Sequence, residues 1–256
     1  MKNNRSIIIF IAWGETYVEK IRQCLNESMQ YKYDLLLITD KNTTVKNIDI
    51  PFIRADFTLS GLNRKSEILL YIPKGYKSYL FLDSDTKVIG DIELGFRKAE
   101  EHGIAMSPAP HYSLDYYGNF KEIMLKEGVS LQGQMQYNSG VIFFSLKRDV
   151  RKVFRLWTRL CKKYSYIIQE DQPFLTLAME MLKFNPYTLS HSYNYRAFGD
   201  IISGPVRIWH SHFPVPNSIN SFEYVWPPRR IVRSTIITPE MDEKFLKSIK
   251  ELKKQI

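Results

Sequence analysis

Residues 79–92 read YLFLDSDTKVIGDI, an apolar run that ends in two aspartates separated by one serine. The run before Asp83 is typical of a buried β-strand. Two carboxylates at the end of one strand repel each other, so a cation between Asp83 and Asp85 would explain the pair. The sequence therefore predicts a metal site at the carboxyl end of this strand.

Strand-like and helical runs alternate on both sides of this stretch. Before it lie SIIIFIAW, helical residues 17–29, YDLLLITD, PFIRA and helical residues 64–71. After it lie GIAMSPA, a polar loop at 111–136, GVIFFSL, helices at 149–164 and 171–182, and VRIWHSH. This alternation predicts an α/β fold whose strands are covered on both faces. Ligands are expected at the carboxyl ends of such strands.

The chain of 256 residues is 44% hydrophobic, which is enough for a substantial core. It has no repeat or linker, so we expect one domain over 1–256, with 239–256 forming a C-terminal amphipathic helix. The apolar run near the N-terminus meets Glu15 at once, which favours a first strand over a signal peptide. No segment has the length of a membrane span. Cys24 and Cys161 indicate no disulfide framework, so a cytoplasmic protein is expected.

The charge balance favours anionic partners. Lys and Arg number 36 against 27 Asp and Glu, a formal charge of +9. The basic residues are scattered and form no nucleic-acid-binding module, so nucleic acid is not expected as a partner. Phosphorylated small molecules and peripheral contact with an anionic membrane remain open, as does the oligomeric state.

Three chemistries use Asp-x-Asp after a strand. A haloacid-dehalogenase-type phosphotransferase has Thr or Val where this chain has Lys87. An EF-hand loop needs an oxygen ligand at Lys87 and a glycine at Val88. The remaining chemistry holds a divalent cation such as Mn²⁺ or Mg²⁺ against the diphosphate of a sugar nucleotide.

Several motifs accompany the aspartate pair in a fixed order within residues 7–213. They are AWGETYVEK, NRKSEILLYIP, YLFLDSDTKV, YNSGVIFFSL, EDQPFL and VRIWHSHF. Together they resemble the GT-A glycosyltransferases, especially the family 8-like group that includes glycogenin and bacterial lipopolysaccharide galactosyltransferases. The resemblance implies a GT-A, Rossmann-like mixed sheet. It also implies metal-dependent transfer of a sugar from a nucleotide-sugar donor, with a UDP-sugar favoured, to a carbohydrate acceptor with retention of configuration.

The resemblance assigns roles to individual residues. The nucleobase and ribose pocket would be lined by Ala12, Trp13, Gly14 and Tyr17, with Asp40 near the base. The ribose and metal would be held by Asp83, Ser84, Asp85 and His210, and Lys65 would meet the donor sugar or phosphate. The sugar pocket would be shaped by Asn138, Ser139 and Gly140, with Asp171 and Gln172 facing the reacting centre.

Each role has a structural alternative that the sequence leaves open. Tyr17 could be a core-edge aromatic, Asp40 an ordinary turn residue and Lys65 a solvated lysine. Residues 138–140 could form a tight turn before a strand. Asp171 could be a charge at a helix N-terminus that interacts with the helix dipole.

The chain also departs from the family after its last motif. The usual Gly-x-x-Lys-Pro-Trp ending, whose lysine contacts the diphosphate, is replaced by HFPVPNSI. Arg207, Arg229 and Arg230 are candidates for that contact. His210 and His212 would share a face of a strand, and position favours His210 as the metal ligand.

Two alternative functions stay open: a catalytically silent nucleotide-sugar or glycan-binding protein of this fold, and a phospho- or nucleotidyltransferase on a similar sheet.

Overall fold

The structure is a computed structural model that describes residues 5–28, 32–118, 120–130, 133–196 and 205–215, with the backbone alone at 110–112. The expected helix at 239–256 and the candidates Arg229 and Arg230 lie outside the described residues. Within them, no helix is both long enough and apolar enough to cross a membrane.

The described elements alternate along the chain much as the sequence predicts. The strands are β1 (Ser6–Ala12), β2 (Asp34–Asp40), β3 (Phe52–Ala55), β4 (Ser78–Leu82), β5 (Thr86–Val88), β6 (Ile104–Ser113), β7 (Met135–Phe144), β8 (Tyr187–Thr188), β9 (Tyr195–Arg196) and β10 (Ile208–His210). The α-helices are α1 (Glu15–Glu27), α2 (Glu93–His102), α3 (Lys121–Lys126), α4 (Arg148–Tyr164) and α5 (Gln172–Met181). Three 3₁₀ helices span Gly61–Leu70, Leu114–Tyr116 and His191–Tyr193.

Seven strands form a mixed sheet in the order β3-β2-β1-β4-β7-β6-β8. The first four run parallel, and β7 runs antiparallel to both β4 and β6. A second sheet has the order β5-β10-β9. The predicted mixed α/β sheet is confirmed.

Both faces of the large sheet are buried, as the apolar strands predict. Along β1, Ile7, Ile9 and Ile11 pack on one face with residues of α4 and α5. Ile8 and Phe10 pack on the other face with residues of α1 and α2. Burial on both faces explains why β1 has no polar alternation.

Residues 111–136 do not form a single irregular loop, so that prediction is wrong. Strand β6 continues to Ser113, and the segment then forms a 3₁₀ helix and α3 before β7 begins at Met135. The apolar side chains Leu114, Phe120 and Ile123 are buried and anchor these short helices. Helices this short present too few turns for a clear apolar period, so the pattern did not reveal them.

Candidate functional site

Asp83 and Asp85 lie in the turn that connects β4 to β5. The Thr86 hydroxyl donates to the Asp83 carbonyl at 2.7 Å and the Gly140 carbonyl accepts from the Asp83 amide at 2.9 Å. Between the two acids, the Ser84 carbonyl accepts a hydrogen bond from the Cys24 thiol. The turn is therefore fixed by its own backbone and by β7, and it presents both carboxylates at the carboxyl end of β4.

His210 completes a cluster with the two carboxylates. It ends β10, where it pairs with Thr86 of β5. Its Nε2 lies 3.3 Å from Asp85 Oδ1 and 4.0 Å from Asp83 Oδ2. One ligand atom from each of the three residues lies within 4.8 Å of the others. Two carboxylates and an imidazole are a set of ligands that binds Mn²⁺ well. Mg²⁺ would bind mainly through the carboxylates.

The electrostatics of Asp85 favour its charged form. Burial raises the pKa of this carboxyl, but His210, His212 and Lys65 outweigh burial and hold the pKa well below its usual range. A carboxylate that stays ionised is ready to bind a cation at neutral pH.

Gly140 supplies the space in which this cluster sits. A Cβ atom at this position would overlap the His210 ring and lie 2.7 Å from Asp83 Oδ2. Because no side chain fits there, the glycine leaves room for the carboxylate and imidazole groups to approach β7.

His210 and His212 do not share a face of a strand, because β10 ends at His210. That prediction is wrong, although both rings approach Asp85. The His212 side chain is 63% exposed, with its Nε2 3.6 Å from Asp85 Oδ2. Only His210 joins both aspartates in one cluster.

Lys65 lies buried between two carboxylates. Its Nζ is 2.7 Å from Asp83 Oδ1 and 3.5 Å from Asp171 Oδ1. Burial lowers the pKa of the ammonium, but Asp171 and Asp83 outweigh burial and raise it. The alternative of a solvated lysine is therefore wrong.

Asp171 directly precedes α5, but its carboxylate makes no capping hydrogen bond. Its side chain is only 2% exposed, and Oδ2 has no hydrogen-bond partner among the described residues. Burial raises the pKa of this carboxyl despite the opposing effect of Lys65. Asp171 is thus a buried, incompletely bonded acid rather than an exposed charge at a helix end.

Asn138, Ser139 and Gly140 lie within β7, so the alternative of a tight turn is wrong. The Asn138 amide nitrogen donates to Gln172 Oε1 at 3.1 Å, which joins β7 to the start of α5. These residues line an open pocket of about 260 Å³. Its lining is Leu62, Lys65, Asp83, Tyr117, Asn138, Ser139, Gly140, Glu170, Asp171, Gln172, Arg196 and His210.

The residues predicted for the nucleobase form a second cluster beside β1. Ala12 is buried at the end of β1, and the rings of Trp13 and Tyr17 lie 5.8 Å apart. The Gly14 amide donates to Thr43 Oγ1 at 2.6 Å. Thr43 in turn donates to Asp40 Oδ1 at 2.6 Å, so Asp40 does serve as a turn residue.

Arg64 joins this second cluster, although the sequence suggested no role for it. Its guanidinium lies 5.1 Å from the Trp13 ring centroid and 3.0 Å from Asp40 Oδ2. Burial raises the pKa of Asp40, but bonds from Thr43 and Arg64 outweigh burial and lower it. Trp13 and Asp40 therefore meet around Arg64, with Tyr17 beside Trp13, and none of these residues belongs to the lining of the candidate pocket.

Two further residues of the site were missed from the sequence. Asn194 is buried against His210, and Arg196 lines the pocket. Both lie in the short segment NYR, which has no pattern that marks a site.

Arg207 was one of the cations proposed to contact the diphosphate. In the structure its guanidinium donates to the Asp91 carbonyl at 2.8 Å and stacks on Tyr193.

The solved structures similar to this chain include three glycosyltransferase structures. The galactosyltransferase LgtC in complex with donor and acceptor sugar analogues is 16% identical, with a TM-score of 0.54 over 81% of this chain and 87% of LgtC. An active-site mutant of LgtC is 15% identical, with a TM-score of 0.55 over 93% and 99% of the two chains. Mouse xyloside xylosyltransferase 1, in its apo form, is 12% identical, with a TM-score of 0.51 over 83% and 99%.

The fold is that of the GT-A glycosyltransferases. The predicted fold class is thereby confirmed, and the structural neighbours are sugar-transferring enzymes. No protein-family model matches the sequence, and comparison with curated proteins finds no significant match. The likeness to these enzymes is therefore one of fold.

Proposed function

We propose that this protein is a metal-dependent glycosyltransferase that moves a sugar from a nucleotide-sugar donor, with UDP-sugars favoured, to a carbohydrate acceptor. The observation that carries the proposal is the cluster of Asp83, Asp85 and His210 at the edge of a pocket that also holds the buried acid Asp171. In a fold shared with galactosyl- and xylosyltransferases, that combination suits a donor with a diphosphate at one end and a sugar at the other.

Asp83, Asp85 and His210 would hold Mn²⁺ or Mg²⁺. When bound there, the cation supplies positive charge that stabilises a leaving nucleoside diphosphate. Lys65 adds a buried positive charge beside Asp83. Arg196, in the pocket lining, is a further cation suited to a diphosphate, in place of the lysine missing from the altered C-terminal motif.

Asp171 and Gln172 would act at the sugar. As the glycosidic bond breaks, positive charge develops at the anomeric carbon, which a carboxylate or amide oxygen can stabilise. Asn138 fixes Gln172 by its hydrogen bond to Oε1. LgtC also has an active-site glutamine, whose replacement by glutamate defines the mutant compared above. We propose retention of configuration on the basis of the sequence resemblance.

The nucleoside would lie against the second cluster. Trp13 and Tyr17 offer aromatic faces for a base, Asp40 and the Gly14 backbone border it, and Asp83 and Ser84 lie toward the ribose. Stacking on aromatic rings favours binding of a planar base without fixing which base it is. The preference for uridine rests on the sequence resemblance.

We further propose peripheral contact with an anionic membrane through α4. Four cations at helical spacing form an exposed row along it: Arg151, Arg155, Arg159 and Lys162. Beside the row, Leu70 is 68% exposed and borders a groove of about 420 Å³. Among the described residues, no carboxylate pairs with Arg155, Arg159 or Lys162, whereas the neighbouring Lys152 and Lys163 are paired. Unpaired cations beside an exposed apolar side chain suit anionic headgroups.

The decisive experiment incubates the protein with UDP-, GDP- and CMP-sugars, with Mn²⁺, with Mg²⁺ or with excess EDTA. We expect nucleoside diphosphate release from UDP-sugars that requires the cation and is abolished in Asp85→Asn. Asp56→Asn is the matched control, because its carboxylate is exposed and, within the described part of the chain, pairs only with Lys41.

Other products would identify the alternatives. Donor binding without any product would indicate a silent binding protein. Release of inorganic phosphate or pyrophosphate would indicate a phospho- or nucleotidyltransferase. Undiminished turnover in EDTA would overturn the proposed metal site.

A further inference from the structure

A row of buried amide side chains links the candidate metal ligand His210 to the start of α5. His210 Nδ1 lies 2.7 Å from Asn194 Oδ1, and Asn194 Nδ2 lies 2.8 Å from Asn138 Oδ1. Asn138 Nδ2 then bonds to Gln172 Oε1. Asn194 is 2% exposed and Asn138 is 7% exposed, so water competes little for these bonds.

Two backbone groups of β7 fix the direction of every bond in this row. The Gly140 N–H donates to Asn138 Oδ1 at 2.9 Å, and the Ser139 N–H donates to Gln172 Oε1 at 3.4 Å. A backbone N–H can only donate, so both side-chain atoms must be acceptor oxygens. The other end of the Asn138 amide is therefore the NH₂ group that meets Gln172.

The same reasoning determines the tautomer of His210. Because Asn138 Oδ1 is an acceptor, the Asn194 atom facing it must be the donating NH₂ group. Asn194 must then present its oxygen to His210, and an oxygen can only accept. Nδ1 therefore carries a proton, and in the neutral ring Nε2 carries the lone pair.

This tautomer suits a cation site. The unprotonated Nε2 faces Asp85 Oδ1 at 3.3 Å and Asp83 Oδ2 at 4.0 Å. A lone pair directed at two carboxylates is unfavourable unless a proton or a metal cation lies between the nitrogen and the carboxylates. A histidine that binds a metal through one nitrogen usually donates a hydrogen bond from the other, which fixes the ring and its tautomer.

We infer that Asn194 is a positioning residue that holds His210 in the Nδ1–H tautomer for cation binding through Nε2, with its own orientation set by Asn138 and the Gly140 N–H. The inference rests on the proposed metal site. Whether Nδ1 of His210 carries the proton can be measured without any sugar transfer.

Nitrogen NMR of the metal-free protein tests the inference directly. With ¹⁵N-labelled histidine, the neutral form of the His210 ring should show a protonated Nδ1 and an unprotonated Nε2. His210→Gln assigns the signals among the five histidines. Since a free neutral imidazole favours the Nε2–H form in water, an Nε2–H signal for His210 in the wild type would overturn the inference without any Asn194 variant.

Three variants connect the tautomer to cation affinity, measured by Mn²⁺ titration. Asn194→Leu removes the acceptor, so the ring should shift toward Nε2–H and Mn²⁺ affinity should fall about 10- to 100-fold. Asn194→Asp keeps an acceptor for Nδ1–H but loses the donor to Asn138 Oδ1, so it should retain the tautomer and recover the affinity only in part. Ser192→Ala is the matched control on the 3₁₀ helix that Asn194 follows, because among the described residues its hydroxyl bonds only to Ser190 Oγ.

The outcomes separate this inference from the proposed function. An unchanged tautomer and Mn²⁺ affinity in a folded Asn194→Leu would overturn the positioning role, even if sugar transfer is found. The expected spectra and affinities without turnover of any donor would leave the positioning role in place and overturn the glycosyltransferase proposal.

Discussion

Asp171 and Lys65 show how much of this site depends on burial. Both residues are almost fully enclosed, and each contacts groups distant in sequence. Their motifs predicted that they would be near the site. Their burial could not be predicted, because it is created by β7, α4 and α5 packing around them. Such enclosed charges strengthen electrostatic interactions with a bound substrate.

Asp171→Asn removes a charge while keeping the shape of the side chain. If the carboxylate stabilises charge at the anomeric carbon, turnover should fall on the order of 100-fold or more. Stability should change little, because burial already disfavours the charged carboxyl and Lys65 keeps its contact with Asp83. Turnover is followed by nucleoside diphosphate release, alongside UDP affinity and melting temperature.

The matched control for this prediction is Asp149→Asn. Asp149 lies in the first turn of α4 and is exposed, so it has the helix-end position without the burial. Its replacement should leave turnover unchanged. A near-normal rate in Asp171→Asn would assign Asp171 a structural role only.

The choice between His210 and His212 is a second test of single residues. His210→Ala should weaken Mn²⁺ affinity roughly 10-fold or more, since even groups that only support ligands have effects of this size. His212→Ala should have a much smaller effect, because its ring is mostly exposed and approaches Asp85 alone. Calorimetric titration with Mn²⁺ compares them. The reverse result would mean that the motif alignment is shifted by two residues.

At the scale of secondary structure, the apolar strands were predictable and the site-forming contacts between elements were not. Strand β4 is buried along its whole length, which agrees with the apolar run from which it was predicted. Strand β10 has only three residues, which is too short for alternation to fix the direction of His212. Asn194 follows a 3₁₀ helix of three residues and gains its role only by contact with β7 and β10.

Helix α4 carries the prediction that belongs to this scale. Near an anionic surface each basic side chain contributes about 1 kcal/mol, so replacing Arg155, Arg159 and Lys162 by Gln should weaken binding on the order of 100-fold. Co-sedimentation with vesicles of phosphatidylcholine and phosphatidylglycerol measures the effect. Vesicles of phosphatidylcholine alone should not bind either protein.

The control for α4 has the same change in net charge elsewhere on the surface. Lys46, Lys74 and Lys77 are exposed and lie outside α4, so their triple replacement by Gln should leave vesicle binding nearly unchanged. Equal losses in both variants would show that net charge alone drives binding. No loss in the α4 variant would exclude this helix as the contact surface.

At the scale of the whole molecule, the candidate cation site connects parts of the chain that are far apart in sequence. Asp83 and Asp85 follow β4 of the large sheet, while His210 ends β10 of the small sheet. Gly140 of β7 and Asn194 before β9 complete the surroundings. A ligand that binds here binds only the folded chain, so it should stabilise the whole structure rather than one element.

Thermal unfolding tests this coupling. A cation at about 100 times its dissociation constant adds roughly 2.7 kcal/mol to the free energy of unfolding. For a chain of this size that corresponds to an increase of roughly 5–10 °C in melting temperature. We expect Mn²⁺ to produce such an increase, UDP to add to it only when Mn²⁺ is present, and EDTA to reverse it. In Asp85→Asn the increase should be absent, whereas Asp56→Asn should respond like the wild type. An equal increase in Asp85→Asn would show that Mn²⁺ stabilises the protein from another site, and an increase with UDP alone would separate nucleotide binding from the cation.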